Sequence, residues 1–278
     1  MSRVGAMTCA LNEAVCIAFT LEPFLRTSAQ VVFLDTGSTD GTEQLVRDLF
    51  DREITHGKLI VEQFGPLPRL EIGKARQRAL EILRSCGCEW ALKIDADDVF
   101  YDTGALTLVT MTEQLPKTAT HLSCKNYELY QYQAVTDIEW LQALRDRRDI
   151  FMEMSFVPEH KRAYRINTGA YAAGFWGDEA AGKPAENIFV PGTERCFFLA
   201  KTIVGAHYGW ALPVRRKEEK IRKWYGRPDA DPRVNSLHTG KDWRKPRKNF
   251  TYHPESIGRL IHQVLEWIEK HPAEIHHG

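Results

Sequence analysis

Three carboxylates stand within four residues at Asp95-Ala96-Asp97-Asp98, directly after the mostly apolar run Trp90–Ile94. Left alone they would repel one another and raise each other's pKa values, so a cation is their natural partner. Hard carboxylate oxygens suit Mg2+ or Mn2+, ions that keep positions open for phosphate oxygens. A calcium loop of the EF-hand kind is excluded: counted from Asp95, the sixth residue is Phe100 where Gly is required and the twelfth is Leu106 where Glu is required. A second acidic loop, DTGSTDGT (35–42), follows the apolar run Val31–Leu34. Asp35 ends that run, where its carboxylate can accept hydrogen bonds from a ligand such as a base ring. Gly37 and Gly41 let the backbone come close to such a ligand. Asp40, three residues before Glu43, reads instead as a helix cap.

Loops of this kind need strands to end on and helices to follow. Short apolar runs alternate with helical patterns over the first ~110 residues, which argues for an α/β fold with a mostly parallel sheet flanked by helices. Strands are expected at Met7–Leu11, Gln30–Leu34, Leu59–Glu62 and Trp90–Ile94, with helices at Glu13–Leu25, Asp40–Phe50 and Gly73–Ser85. Three of the strands end in polar or acidic residues, at Asn12-Glu13, Asp35 and Asp95. Ligands of open parallel sheets gather beyond the carboxyl ends of the strands, so these groups fall along one edge. Residues 113–204 are less regular. Residues 213–224 look helical and basic, and residues 226–254 look like an extended, Pro-containing excursion. The chain then closes on an amphipathic helix, with Ile257, Leu260, Ile261, Val264, Leu265 and Ile268 at helical spacing. That stripe suits either a core or an oligomer surface.

Lys+Arg and Asp+Glu both number 37, so net charge names no partner. The basic residues are unevenly placed: residues 205–278 carry 15 Lys/Arg against 9 Asp/Glu. Six cysteines include one close pair, Cys86-Gly-Cys88, which does not complete a usual zinc spacing. Apolar flanks around Cys9, Cys16 and Cys196 favour buried thiols in a reducing compartment. No apolar run approaches the ~18 residues that span a bilayer. A soluble, cytoplasmic protein is the expectation.

Taken together, Asn12-Glu13, DTGSTDGT (35–42), Ala75-Arg76 in a helix and KIDADD (93–98) resemble, in order and spacing, the family-two glycosyltransferases, inverting enzymes of GT-A fold. The resemblance covers about residues 7–100. It implies a donor that is a nucleotide-diphosphate sugar, with UDP as the expected nucleotide, and Mn2+ or Mg2+ as cofactor. Residues 1–112 would form the nucleotide-sugar half and 113–212 the acceptor half, followed by a basic C-terminal extension at 213–278. The donor site would include Asn12, Glu13, Asp35, Gly37, Arg76 and Asp95, with Asp35 on the base. Asp97 would ligate the metal, with Asp95 beside it. Two positions depart from the family's habit: Leu11 where Lys is frequent, and Asp98 where Glu is commoner.

The resemblance also implies roles further along. His207, after the strand-like run Phe197–Val204, stands where related enzymes place a third metal ligand; a packed histidine is the plainer alternative. Arg216, Lys217 and Lys220 could hold the diphosphate or simply form a solvated helix face. Asp178 and Glu179, after Trp176-Gly177, are the expected pair from which the acceptor's general base comes. Arg, Lys, Trp and Tyr interleave through 215–248, a composition suited to nucleic acid, so modified DNA joins glycan, lipid and protein as an acceptor class. Two other functions compete. A sugar-nucleotidyl transferase would carry a Gly-rich basic loop after its first strand, where this chain has Leu11-Asn12-Glu13. A transferase-derived module that binds nucleic acid or glycan without turnover would have less reason to keep Asp35, Asp95 and Asp97.

Overall fold

The computed structural model describes residues 3–67, 71–130, 135–146, 153–172, 188–210, 212–213, 215–216 and 255–272. Its first half follows the alternation in the sequence: β1 (Val4–Ala10), α1 (Ile17–Thr27), β2 (Gln30–Asp35), α2 (Thr42–Leu49), α3 (Asp51–Thr55), β3 (Leu59–Gln63), α4 (Ile72–Ser85) and β4 (Trp90–Lys93). Helix α1 begins four residues later than the sequence suggests. Cys16 and Ile17 both donate their amides to the Glu13 carbonyl, closing a turn before the helix starts.

The second half contains β5 (Asp98–Phe100), α5 (Asp102–Glu113), β6 (His121–Tyr130), α6 (Asp137–Arg145) and β7 (Glu153–Arg165). A small hairpin follows, β8 (Tyr171–Ala172) with β9 (Ile188–Phe189), then the long β10 (Cys196–Trp210). The last described helix, α7, spans Glu255–Lys270.

Eight strands form one sheet in the order β3-β2-β1-β4-β7-β6-β10-β5. The pairs β3–β2, β2–β1, β1–β4 and β6–β10 are parallel, and the other three are antiparallel. Strands β1 and β2 are covered on both faces, as parallel strands usually are. Val31 and Phe33 point into one core, with Val32 and Leu34 into the other, following the period of two. Helix α4 covers one face through Ala75, Ala79, Leu80 and Leu83, while α1, α2 and α5–α7 contribute to the opposite core.

The apolar stripe of α7 belongs to that core. Ile257, Ile261, Val264 and Ile268 are at most 1% exposed, and the Trp267 indole donates to Asp48 at 2.7 Å. The helix packs on α6, α1 and α2, so its stripe is not an open oligomer surface. No described helix is long and apolar enough to cross a membrane.

Candidate active site

The loop after β2 is organised around two side chains. Asp35, 1% exposed, accepts through Oδ1 from the amides of Gly37 (3.0 Å) and Ser38 (2.9 Å). Asn12, in the turn after β1, accepts through Oδ1 from the Thr39 amide at 2.8 Å and donates its own amide to Ser38 Oγ at 2.9 Å. Three consecutive loop amides are thereby held by two side chains, and one atom of each is left over. Asp35 Oδ2 and Asn12 Nδ2 are buried without a hydrogen-bond partner. A buried unpaired oxygen is costly in a folded protein and marks a place where a ligand donor can bind. Burial raises the Asp35 pKa, and the Ser38 and Gly37 hydrogen bonds oppose the rise. Gly37 has φ 96, and a Cβ there would meet the Pro66 backbone at 2.8 Å, so the tight turn depends on glycine.

The acidic loop lies between β4 and β5, propped from α1 by the Thr20 hydroxyl, which donates to the Ala96 carbonyl at 2.8 Å. Strand β5 pairs with β10 in a register that sets His207 opposite Asp98. His207 Nδ1 lies 3.0 Å from Asp98 Oδ1 and 3.4 Å from Asp97 Oδ1. Asp97, Asp98 and His207 form the one group of at least three metal-type donors among the described residues, with ligand atoms within 4.8 Å of one another. Two hard oxygens and an imidazole suit Mn2+ or Mg2+ better than a thiophilic ion. The space beside them is kept by Gly209: a Cβ there would lie 2.5 Å from Asp97 Oδ2 and 2.6 Å from His207 Nε2.

Asp95 points into a different arrangement. Arg76 Nη2 is 3.2 Å and Lys93 Nζ 3.7 Å from its Oδ1, and Arg162 Nη1 is 3.1 Å from its Oδ2. Burial works against the Asp95 charge, yet Lys93, Arg162 and Arg76 hold its pKa well below the usual carboxylate range. Arg162, on β7 and 1% exposed, also reaches Asp98 Oδ2 at 2.6 Å. Asp98 is likewise kept ionised against its burial by Arg162 and by the His207 hydrogen bond.

The residues singled out in the sequence are therefore distributed as follows. The structure brings Asp97 and His207 together, and Asp98, read in the sequence as part of the acidic cluster but not as an individual ligand, joins them. Asp95 is outside that donor group, held by three cations. Arg76 does reach the acidic loop, through Asp95. Asn12, Asp35 and Gly37 share one loop, and the Glu13 amide donates to Thr42 Oγ1 nearby at 2.9 Å.

Arg216 calls for a correction. Its guanidinium, expected on a diphosphate or in solvent, is buried against Asp40 and Asp137, because both carboxylates face inward where α2 and α6 begin. Asp40 is not the helix cap expected from the sequence: Gly41 holds that position, and Asp40 accepts from the Thr42 amide and pairs with Arg216. Cys196, expected to be buried, is exposed. Asp178, Glu179, Trp176, Lys217 and Lys220 lie outside the described residues. Arg162 carried no local signal, since its meaning depends on carboxylates more than sixty residues away.

The family described as Glycosyl transferase family 2 matches residues 6–176. No curated protein matches the chain. Among solved structures, a mycobacterial protein shares 17% identity over 60% of this chain and 54% of its own, with a TM-score of 0.37. Glucosyl-3-phosphoglycerate synthase from Mycobacterium tuberculosis, in complex with Mn2+, UDP and glucosyl-3-phosphoglycerate, shares 18% over 60% of this chain and 58% of its own, with a TM-score of 0.35. The chain thus spans a little over half the length of these two. The mannosyltransferase PcManGT from Pyrobaculum calidifontis, in complex with GDP-Man and Mn2+, shares 18% over 97% of this chain and 75% of its own, with a TM-score of 0.40.

Proposed function

Because the chain belongs to glycosyl transferase family 2, we propose that it moves a sugar from a nucleotide-diphosphate donor to an acceptor hydroxyl with inversion, UDP being the first nucleotide to test. The observation that carries the reading is the Asp97–Asp98–His207 donor group, with its space kept by Gly209. Mn2+ or Mg2+ held by these residues would neutralise the charge that develops on the leaving diphosphate.

The chain's own groups do the rest. Asp35 Oδ2 accepts a hydrogen bond from a ring N–H of the base, which gives the buried oxygen its missing partner. Arg76, Lys93 and Arg162 provide fixed positive charge around Asp95, beside the place where the diphosphate's negative charge accumulates. Inversion in one displacement needs one general base on the acceptor side, and Asp178 or Glu179 is assigned that role. The acceptor is a hydroxyl of a glycan, lipid, protein or modified DNA, and the basic stretch 215–248 would favour an acidic one.

Calorimetric titration with UDP, and in parallel GDP, tests the donor site. We expect UDP to bind with Mn2+ present and to lose most of its affinity with excess chelator or in Asp97→Ala. Binding indifferent to both would refute the metal-linked site. Binding of GDP in place of UDP would correct the nucleotide and keep the reaction class.

A further inference from the structure

One buried ionic network takes no part in the chemistry above. Arg216 Nη1 lies 2.7 Å from Asp40 Oδ2 and donates to the Asn12 carbonyl at 3.0 Å. Its Nε and Nη2 hold the two oxygens of Asp137, in the first turn of α6, at 2.9 and 2.8 Å. Arg216 is 7% exposed and Asp40 1%. Such networks are weak evidence for stability, because apolar packing often serves as well; fixing one geometry is a use they can have.

The geometry here concerns Asn12. It has φ 59, the left-handed region that asparagine tolerates but does not prefer. Its carbonyl is held by Arg216, its amide by Ser38 Oγ, and its side-chain oxygen by the Thr39 amide. The neighbouring amides of Gly37 and Ser38 hold Asp35. Asp40 adds a second anchor by accepting from the amides of Ala14 (3.2 Å) and Thr42 (3.1 Å) on either side. Hydrogen bonds therefore run without a break from Arg216 through Asn12 to Ser38 and Asp35.

We propose that Arg216 is a positioning residue for the donor nucleotide: it locks the Asn12 turn, and that turn locks loop 36–39 so that Asp35 keeps its free oxygen toward the base. The proposal rests on the donor-site reading given above. It places a determinant of nucleotide affinity 204 residues from the Asn12 turn through which it acts, in a side chain that touches no ligand.

Two variants separate positioning from folding. Arg216→Lys keeps a charge beside Asp40, but one ammonium cannot replace a fork that reaches Asp137, Asp40 and the Asn12 carbonyl together. Arg216→Met with Asp40→Asn removes the cation and its fully buried partner together, leaving unpaired only Asp137, whose side chain is 17% exposed and keeps some contact with water. Well below their melting temperatures, both should bind UDP with Mn2+ about tenfold more weakly, or worse. Mn2+ affinity without nucleotide should be unchanged, because the metal donors sit in the β4–β5 link, on β5 and on β10 rather than in the Asn12 turn or loop 36–39. In the nucleotide-free protein, the amides of residues 36–39 should exchange with deuterium faster in both variants. Unchanged protection of those amides would overturn the proposal whatever the affinities do. Should the unmodified protein bind neither UDP nor GDP, the donor reading fails, and the exchange measurement still decides whether Arg216 holds the loop.

Discussion

Gly209→Ala offers a sharp test of the metal donor group, because the added atom falls between two of its members. The new Cβ would stand 2.5 Å from Asp97 Oδ2, 2.6 Å from His207 Nε2 and 3.0 Å from His207 Cε1. Real Cβ contacts essentially never come closer than 3.0 Å, so Asp97 must retreat by about 0.5 Å at the least. Metal sites tolerate displacements of only about 0.2 Å in their ligand distances. We therefore expect Mn2+ affinity to fall roughly 10–100-fold, or about 1.4–2.8 kcal/mol, the range seen when support for a ligand is lost. Stability should fall by a net of about 0–2.6 kcal/mol, leaving the protein folded at the temperature of the binding assay. Overpacking costs about 1–3 kcal/mol, and the stiffer unfolded chain returns about 0.4–1 kcal/mol. Free Mn2+ followed by electron paramagnetic resonance measures the affinity, and a thermal melt measures the fold. Gly258→Ala is the control: it sits in α7 with open space around it, should gain up to about 1 kcal/mol, and should leave Mn2+ binding alone. If Gly209→Ala binds Mn2+ as the unmodified protein does, Asp97 and His207 are not joint ligands.

Other expectations follow from the same geometry. Asp35→Asn should abolish most nucleotide affinity while keeping or raising the melting temperature, a trade common at functional sites. The sign comes from burial, which raises the Asp35 pKa: its protonated form is favoured by folding, so its contribution is present in acid and lost as pH rises through the folded value. The advantage of Asn over Asp should therefore grow between about pH 4 and neutrality, and a variant destabilised most at neutral pH would contradict this. Arg162→Met leaves Asp98 buried without its cation and should lose about 3–5 kcal/mol in urea unfolding, most of it recovered in Arg162→Met with Asp98→Asn. Thiol labelling at pH 8 should be fastest at exposed Cys196, then at partly exposed Cys86; Cys9 is also partly exposed, but desolvation pushes its thiol up to about 11, as it does buried Cys88, and pushes buried Cys124 to about 12. Rapid modification of Cys124 would show that β6 opens more easily than its burial implies.

The elements legible in the sequence are those built from local pattern. The strands β1–β4 and the faces of α2, α4 and α7 follow from runs and periodicities of a few residues, and Asp35 and Asp97 follow from where such runs end. Part of β10 showed as the strand-like run Phe197–Val204, but the way β6, β7 and β10 join the sheet was not legible in this way. Their partners lie tens of residues apart, and a strand's neighbour is set by tertiary packing. The same limit governs single residues. Asp98 looks like the last charge of an acidic turn until β10 sets His207 opposite it and β7 brings Arg162. Arg216 looks like one cation in a basic run, yet Asp40 and Asp137 draw it inward. Cys196 shows the reverse error, since an apolar flank in sequence did not translate into burial.

The short link between β4 and β5 has a geometric consequence. Four strand positions separate them in the sheet, which on a flat surface would be about 19 Å. Five residue steps from Lys93 to Asp98 reach at most about 18 Å, and this link is not extended, because the Asp98 amide donates back to the Asp95 carbonyl at 2.9 Å. The sheet must therefore curl until its far edge returns toward its middle. Arg162, touching Asp95 at one end of the link and Asp98 at the other, spans the resulting seam. Lengthening this link by a residue or two would relax the curl and let Asp95 and Asp97 shift relative to β5, while the β5–β10 ladder would keep Asp98 opposite His207, so the donor group would lose its geometry with no ligand altered.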